Sequence, residues 1–178
     1  MSRIFGAVWQ NGYVVEDLDR AIDHWVGTLG VGPFFKAPHL QLEDYQFRGA
    51  PCAPDLSIAL AYSGGLQIEL IQQHNDAPSH YADFLERVGP GLHHLCTANG
   101  RSYDDNVAEF SRLGYEIASS GKLVGAGRFA YLETERHPGT IVEFGEGCPV
   151  TRAAFEAIRA ASIDWNGEAP VRALSLNG

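Results

Sequence analysis

The stretch 8–32, VWQNGYVVEDLDRAIDHWVGTLGVG, decides the fold because the chain writes its order twice. It opens as an apolar strand and turns at the acidic Glu16 and Asp17. Leu18, Ile22, Trp25 and Leu29 then follow at helical spacing, one stripe that stops at Gly30. The stretch 92–116, LHHLCTANGRSYDDNVAEFSRLGYE, repeats this order. A strand leads to a turn where Asp104 or Asp105 can cap, then to the stripe Val107, Phe110 and Leu113 and a stop at Gly114. Short β-patterned runs follow each helix: YQFRG (45–49), LSIALAYS (56–63) and LQIELIQ (66–72), then YEIAS (115–119), RFAYLET (128–134) and TIVEFGE (140–146). Both halves are therefore β-α-β-β-β units, and the expected class is α+β, two βαβββ modules sharing one curved mixed sheet.

The expected domain covers 6–146, with module one at about 6–73, a connecting helix at about 77–89 and module two at about 91–146. The connecting helix carries Tyr81, Phe84, Leu85 and Val88 on its inner face. The segment 150–178 holds a last amphipathic helix, 151–162, with Thr151 as N-cap, and then an irregular tail.

Composition bounds the function. The 178 residues are 45% hydrophobic and 20% charged, enough to build a real core. Thirteen basic against 22 acidic side chains give a formal charge of −9 with no basic patch, which excludes nucleic acid as a partner. No apolar run approaches the roughly 20 residues that span a bilayer. The start, MSRIFGAVWQ, lacks the marks of a signal peptide, so the expectation is a cytoplasmic protein with no membrane partner. Cys52, Cys96 and Cys148 are odd in number and scattered, which points to reduced thiols rather than disulfides or a zinc motif.

Two carboxylates interrupt apolar strands at matched places: Glu69 in LQIELI and Glu143 in TIVEFG. Strand alternation puts Glu69 on one face with Gln67 and Ile71, against Ile68 and Leu70. Glu143 likewise opposes Val142 and Phe144. With the apolar neighbours packed on helices, both glutamates point to the inner side, where an ionised carboxylate needs a cation or proton as partner. The same alternation separates His93 from His94, so the two histidines cannot serve one site.

The motifs VVEDLDRAIDHW, IELIQQ, GLHHL and HPGTIVEFGE resemble the vicinal-oxygen-chelate (VOC) superfamily, the glyoxalase, bleomycin-resistance and dioxygenase group. The resemblance covers about 6–146 and is loose between 33 and 56. It implies a sheet wrapped around a central metal site with one ligand from each of four strands: Gln10, Glu69, His94 and Glu143. It also implies that the second histidine of the pair is the ligand and that His93 is structural. Three oxygen donors and one imidazole suit a single divalent ion, one of Zn, Ni, Co, Mn, Fe(II) or Mg.

The Gln/Glu/His/Glu set resembles that of glyoxalase I, whereas an extradiol dioxygenase needs a histidine where Gln10 stands. The positions that would hold glutathione carry Val14 and Gln73, so the resemblance does not extend to that substrate. It implies a metal-dependent lyase, isomerase or epimerase acting on a small molecule with adjacent oxygens, through an enolate or enediolate. Glu143 is the expected catalytic base and Glu69 its mirror. Cys96, Tyr131 and His137 are expected near the pocket, and the helix 151–162 offers an apolar face to a second copy in a homodimer. The class rival is a binding protein that sequesters an aromatic or antibiotic ligand without turnover.

Overall fold

A computed structural model describes residues 1–174; the end of the tail, 175–178, lies outside the described residues. The elements run in the order β1 (Ala7–Val14), α1 (Leu18–Gly27), β2 (Phe34–Ala37), β3 (Leu42–Phe47), β4 (Ala50–Pro51), β5 (Leu56–Ser63), β6 (Leu66–Gln73), α2 (His80–Val88), β7 (Gly91–Ala98), α3 (Tyr103–Arg112), β8 (Ile117–Leu123), β9 (Gly127–Leu132), β10 (Ile141–Gly145), α4 (Pro149–Ser162) and β11 (Val171–Ala173). All strands join one unclosed sheet in the order β11-β2-β5-β6-β1-β7-β10-β9-β8-β3-β4. Its middle is the antiparallel pair β1–β7. On either side stands the strand that closes each module, β6 parallel to β1 and β10 parallel to β7. The α+β class and the shared curved sheet of two βαβββ modules hold.

The structure corrects the strand membership of module one. Residues 45–47 of the run 45–49 end β3, with 48 and 49 in the turn to β4; β3 crosses to the far edge and pairs with β8 of module two, and the module's own strand is β2, paired to β5. Tyr45 and Phe47 in β3 are buried between exposed Asp44 and Gln46, so the hairpin delivers apolar side chains to the other module's inner face. The tail, expected to be irregular, adds β11 parallel to β2. Trp165 there packs on Gly32, where a Cβ would come within 2.6 Å of its ring.

Helix ends follow side-chain chemistry. Asp17 caps α1 by accepting from Arg20 N. Ser102, not Asp104 or Asp105, caps α3, because its hydroxyl sits where Asp105 N can donate at 3.1 Å. Cys148 rather than Thr151 caps α4; Thr151 is the third helical residue, and its hydroxyl accepts from Cys148 N at 3.2 Å. Each stripe also ends sooner than its spacing suggests. Leu29 lies beyond the end of α1, Leu113 is the C-cap of α3 and Val88 ends α2, and all three are exposed.

The outer face of the sheet is covered in two places. Leu18 and Ile22 of α1 pack on Ile68 and Leu70, and Phe110 of α3 packs on Val142 and Phe144. The inner face carries the largest cluster. Tyr81 and Phe84 of α2 lie in it at one end, and Ile158 of α4, with Phe155 packed alongside, joins from the other helix. Each fully buried leucine, isoleucine or phenylalanine here contributes about 1.5–3 kcal/mol. The face of α4 expected to meet a second copy is thus turned into its own chain.

Candidate metal centre

Three of the four expected ligands meet on the inner face. His94 Nε2 lies 2.7 Å from Glu143 Oε2 and 3.4 Å from Glu69 Oε2. One ligand atom from each residue falls within 4.8 Å of the others. His94 is wholly buried, while the two carboxylates keep 14% and 13% of their side-chain surface.

The register explains the meeting. Gly12 in β1 stands opposite both Glu69 in β6 and His94 in β7, so three neighbouring strands bring these residues level. Room for the imidazole comes from Gly12, where a Cβ would sit 1.9 Å from His94 Cε1. Glu143 in β10 is level with Cys96 of β7, one pleat along.

The geometry fits a cation. His94 Nε2 and Glu143 Oε2 are close but out of line for a hydrogen bond, so both are buried atoms without a hydrogen-bonding partner. Such orphans are rare in folded proteins and usually mark a missing ion or water. Burial alone would lower the His94 pKa, but Glu143 and Glu69 outweigh it and push the imidazole up to about 9. Burial raises the Glu69 carboxyl, against the pull of His94. In the metal-free protein a proton on His94 does the balancing that a divalent ion would do.

Gln10, the fourth expected ligand, lines the same cavity but engages Gln67: its Nε2 donates to Gln67 Oε1 at 2.7 Å. Gln67 Nε2 in turn donates to the Tyr62 hydroxyl at 3.2 Å. This chain of donors uses the nitrogen of the Gln10 amide and leaves its oxygen as the end suited to a cation.

His93 corrects the alternation argument. β7 carries an extra residue there, since Gly12 pairs with His94 while Tyr13 pairs with Leu92. A bulge breaks strict alternation. The two Nδ1 atoms consequently lie 3.0 Å apart, and His93 packs edge-on against Phe84 of α2. Burial, with His94 and His80 beside it, lowers the His93 pKa well below the usual range, so it is neutral and can accept from a His94 Nδ1–H. His80, the first residue of α2, is buried in the same stack. Its sequence context, a polar helix start, carried no sign of this.

Among the other expected residues, Cys96 and Tyr131 line the cavity. Burial holds the Cys96 thiol well above its usual pKa, hence protonated. Tyr131 packs edge-on against His94, and its hydroxyl lies 3.0 Å from that of Tyr81. Burial pushes both phenols up, so they remain donors. His137 is exposed on a turn where the Thr140 hydroxyl donates to its carbonyl, and it is not among the residues that line the cavity.

The sequence pattern of the glyoxalase/bleomycin resistance protein/dioxygenase superfamily matches residues 9–131. No curated protein matches the chain. Among solved structures, a hypothetical protein from Bacillus halodurans is similar at 20% identity and a TM-score of 0.57, over 80% of this chain and 94% of that one. Methylmalonyl-CoA epimerase from Mycobacterium tuberculosis is similar at 18% identity and a TM-score of 0.56, over 86% and 96%. A Streptomyces coelicolor methylmalonyl-CoA epimerase variant, in complex with 2-nitronate-propionyl-CoA, is similar at 16% identity and a TM-score of 0.50, over 81% and 99%. These likenesses show the fold.

Proposed function

The chain belongs to the glyoxalase/bleomycin resistance protein/dioxygenase superfamily, and on that premise we propose that it is a metal-dependent isomerase or epimerase that removes a carbon-bound proton beside a carbonyl. The observation that carries this reading is the convergence of Glu69 and Glu143 on His94, with buried polar atoms left unpartnered among them. The likeness in fold to methylmalonyl-CoA epimerases supports the reaction class.

Gln10, Glu69, His94 and Glu143 would hold one divalent ion. That ion supplies Lewis-acid polarisation of substrate oxygen. Glu143 is the base: its carboxylate takes the proton, and the C–H electron pair moves toward the carbonyl to give an enolate. Tyr81 and Tyr131 share one hydroxyl proton between them and keep a second free to donate to the oxygen that gains charge. Glu69, when its carboxyl carries a proton, would return that proton to the opposite face, which is epimerisation. Return by Glu143 itself to a neighbouring atom is isomerisation. Water is limited by Tyr81 and Phe84 of α2 at one end of the inner face.

The test is metal analysis of protein purified without a chelating column, followed by deuterium exchange into methylmalonyl-CoA and simple hydroxy-ketones in D2O. Metal-loaded wild type is expected to exchange. Glu143→Gln is expected to keep metal and lose exchange by about a thousandfold. Full exchange in that variant removes Glu143 from the mechanism. No exchange by the wild type with any of these compounds replaces the enzyme by a binding protein.

A further inference from the structure

The cavity that reaches the cluster has a volume of about 810 Å³. Pockets of about 300–1,000 Å³ enclose drug-sized molecules, so a chelating head of a few atoms fills only a corner of this one. The remaining space is bounded on the module-one side by Leu56, Ile58 and Leu60 of β5 and Ile71 of β6. Trp9 and Phe155 line it as well, their rings tilted against each other with centroids 5.5 Å apart. These side chains carry no ionisable group, and water held against them would find few partners; the Tyr62 phenol stands on the same strand as three of them, and Tyr81, Cys96 and Tyr131 line the cavity beside the cluster.

The mouth is different. The exposed side chains that line the cavity include Arg101 at the start of module two's turn, and Arg152, Glu156 and Arg159 on one face of α4. Among the described residues none of these three arginines is in an ion pair, whereas Arg128 nearby is held by Asp104 at 2.8 Å and Glu146 at 2.9 Å. Outside the cluster the lining holds four arginines against Glu146 and Glu156; with Arg128 and Glu146 paired to each other, the three unpaired guanidinium groups leave an excess of positive charge at this rim on a chain whose formal charge is −9. Such a rim attracts anions and holds them by charge-assisted hydrogen bonds.

Resting on the reading that the cluster binds a substrate's adjacent oxygens, we infer that the substrate is an amphiphilic anion. Its oxo head lies at Glu69, His94 and Glu143, a bulky apolar or aromatic body fills the chamber between β5–β6 and α4, and an anionic end is held at Arg101, Arg152 and Arg159. That end can be a carboxylate of the substrate itself or the phosphates of a carrier thiol such as coenzyme A. The rim chemistry is the same for both.

The experiment compares four compounds by calorimetry on the full chain, zinc-loaded and metal-free. They are acetylacetone, benzoylacetone, benzoylacetone bearing a para carboxylate, and acetoacetyl-CoA. The phenyl group is expected to tighten binding about ten- to a hundredfold over the methyl compound, in both metal states, because the wall and not the ion recognises it. Equal affinity of acetylacetone and benzoylacetone overturns the apolar chamber. The double variant Arg152→Glu/Arg159→Glu, on an exposed helix face, is expected to leave benzoylacetone unaffected and to weaken the anionic compounds about tenfold. No weakening of either overturns the anionic end. Weakening of the para carboxylate alone assigns that end to a substrate carboxylate, and weakening of acetoacetyl-CoA alone assigns it to carrier phosphate. Loss of all metal dependence with the phenyl preference intact overturns the oxo head at the cluster, and the enzymatic reading with it, while the apolar chamber is retained.

Discussion

Gln10 in β1 and His94 in β7 occupy the same station in their modules, and they are used differently. Each follows a bulged residue, Trp9 or His93. Each is opposed across the central pair by the residue two positions beyond the other, Gln10 by Cys96 and His94 by Gly12. The closing strands obey the same rule: Gln10 is level with Gln67 and His94 with Ile141, while Glu69 is level with Gly12 and Glu143 with Cys96. The plan is duplicated and the chemistry is not. Where module two has an apolar isoleucine, module one has Gln67, which takes the Gln10 amide. Where module one has a glycine, module two has a thiol. The difference teaches that one shared site needs only one large ring at its centre, and the other half supplies space for it.

The sharpest way to break this comparison is to remove the ring. His94→Ala is expected to reduce bound metal from about one ion per chain to less than a tenth, whereas Gln10→Ala weakens binding but leaves three donors in place; elemental analysis after dialysis distinguishes them. A site that survives His94→Ala but not Gln10→Ala reverses the roles of the halves. Next in size is the space itself. Gly12→Ala puts a methyl group inside the His94 ring position and is expected to cost about 1–3 kcal/mol in stability and about a hundredfold in metal affinity. Cys96→Ala at the matching position is expected to cost about 1 kcal/mol and no metal. Thermal unfolding with and without zinc reads both.

The two helices on the inner face differ as well. α2 brings His80, buried against His93 and Phe47, while α4 brings Phe155 and Ile158, which do not titrate. Burial, helped by His94, Arg48 and Arg87 and opposed by Asp83, lowers the His80 pKa to about 4. Its folded-state value lies below its unfolded one, so the unfolded chain takes up the proton first. The fold therefore loses stability as pH falls through about 6.5 toward 4, by about 2 kcal/mol at pH 5. His80→Phe is expected to flatten that limb in chemical denaturation at pH 7 and pH 5; an unchanged slope assigns the acid sensitivity elsewhere. The smallest effect lies in the orienting bonds. Gln67→Leu frees the Gln10 amide to rotate, and His93→Ala removes the acceptor beside His94 Nδ1. Each is expected to weaken zinc about tenfold at unchanged stoichiometry. Weakening by His93→Ala alone would show that the second half holds the ion unaided.

Much of this was legible in the sequence, for local reasons. The helical stripes at Leu18–Ile22 and Phe110, and the carboxylates at matched places in LQIELI and TIVEFG, depend only on period and parity. Parity placed Ile68, Leu70, Val142 and Phe144 against helices and the glutamates inside, as found. It failed at His93, because a bulge is created by pairing with another strand and leaves no mark on its own. It failed at 45–49 too, where alternation showed a strand but could not say whose edge it would join. The burial of His80 was not legible, because burial of a polar residue depends on what packs over it, here Phe47 and His93.

The sequence by itself determined the duplicated β-α-β-β-β order, the inward carboxylates and the residue types able to hold a cation, since each follows from spacing along one chain. Only the tertiary structure decided that three of them converge. It also decided that α4 turns its apolar face into the chain's own cavity and that β3 serves the other module. Those outcomes depend on register between strands distant in the chain, and register is set by side chains meeting across the sheet rather than by any single segment.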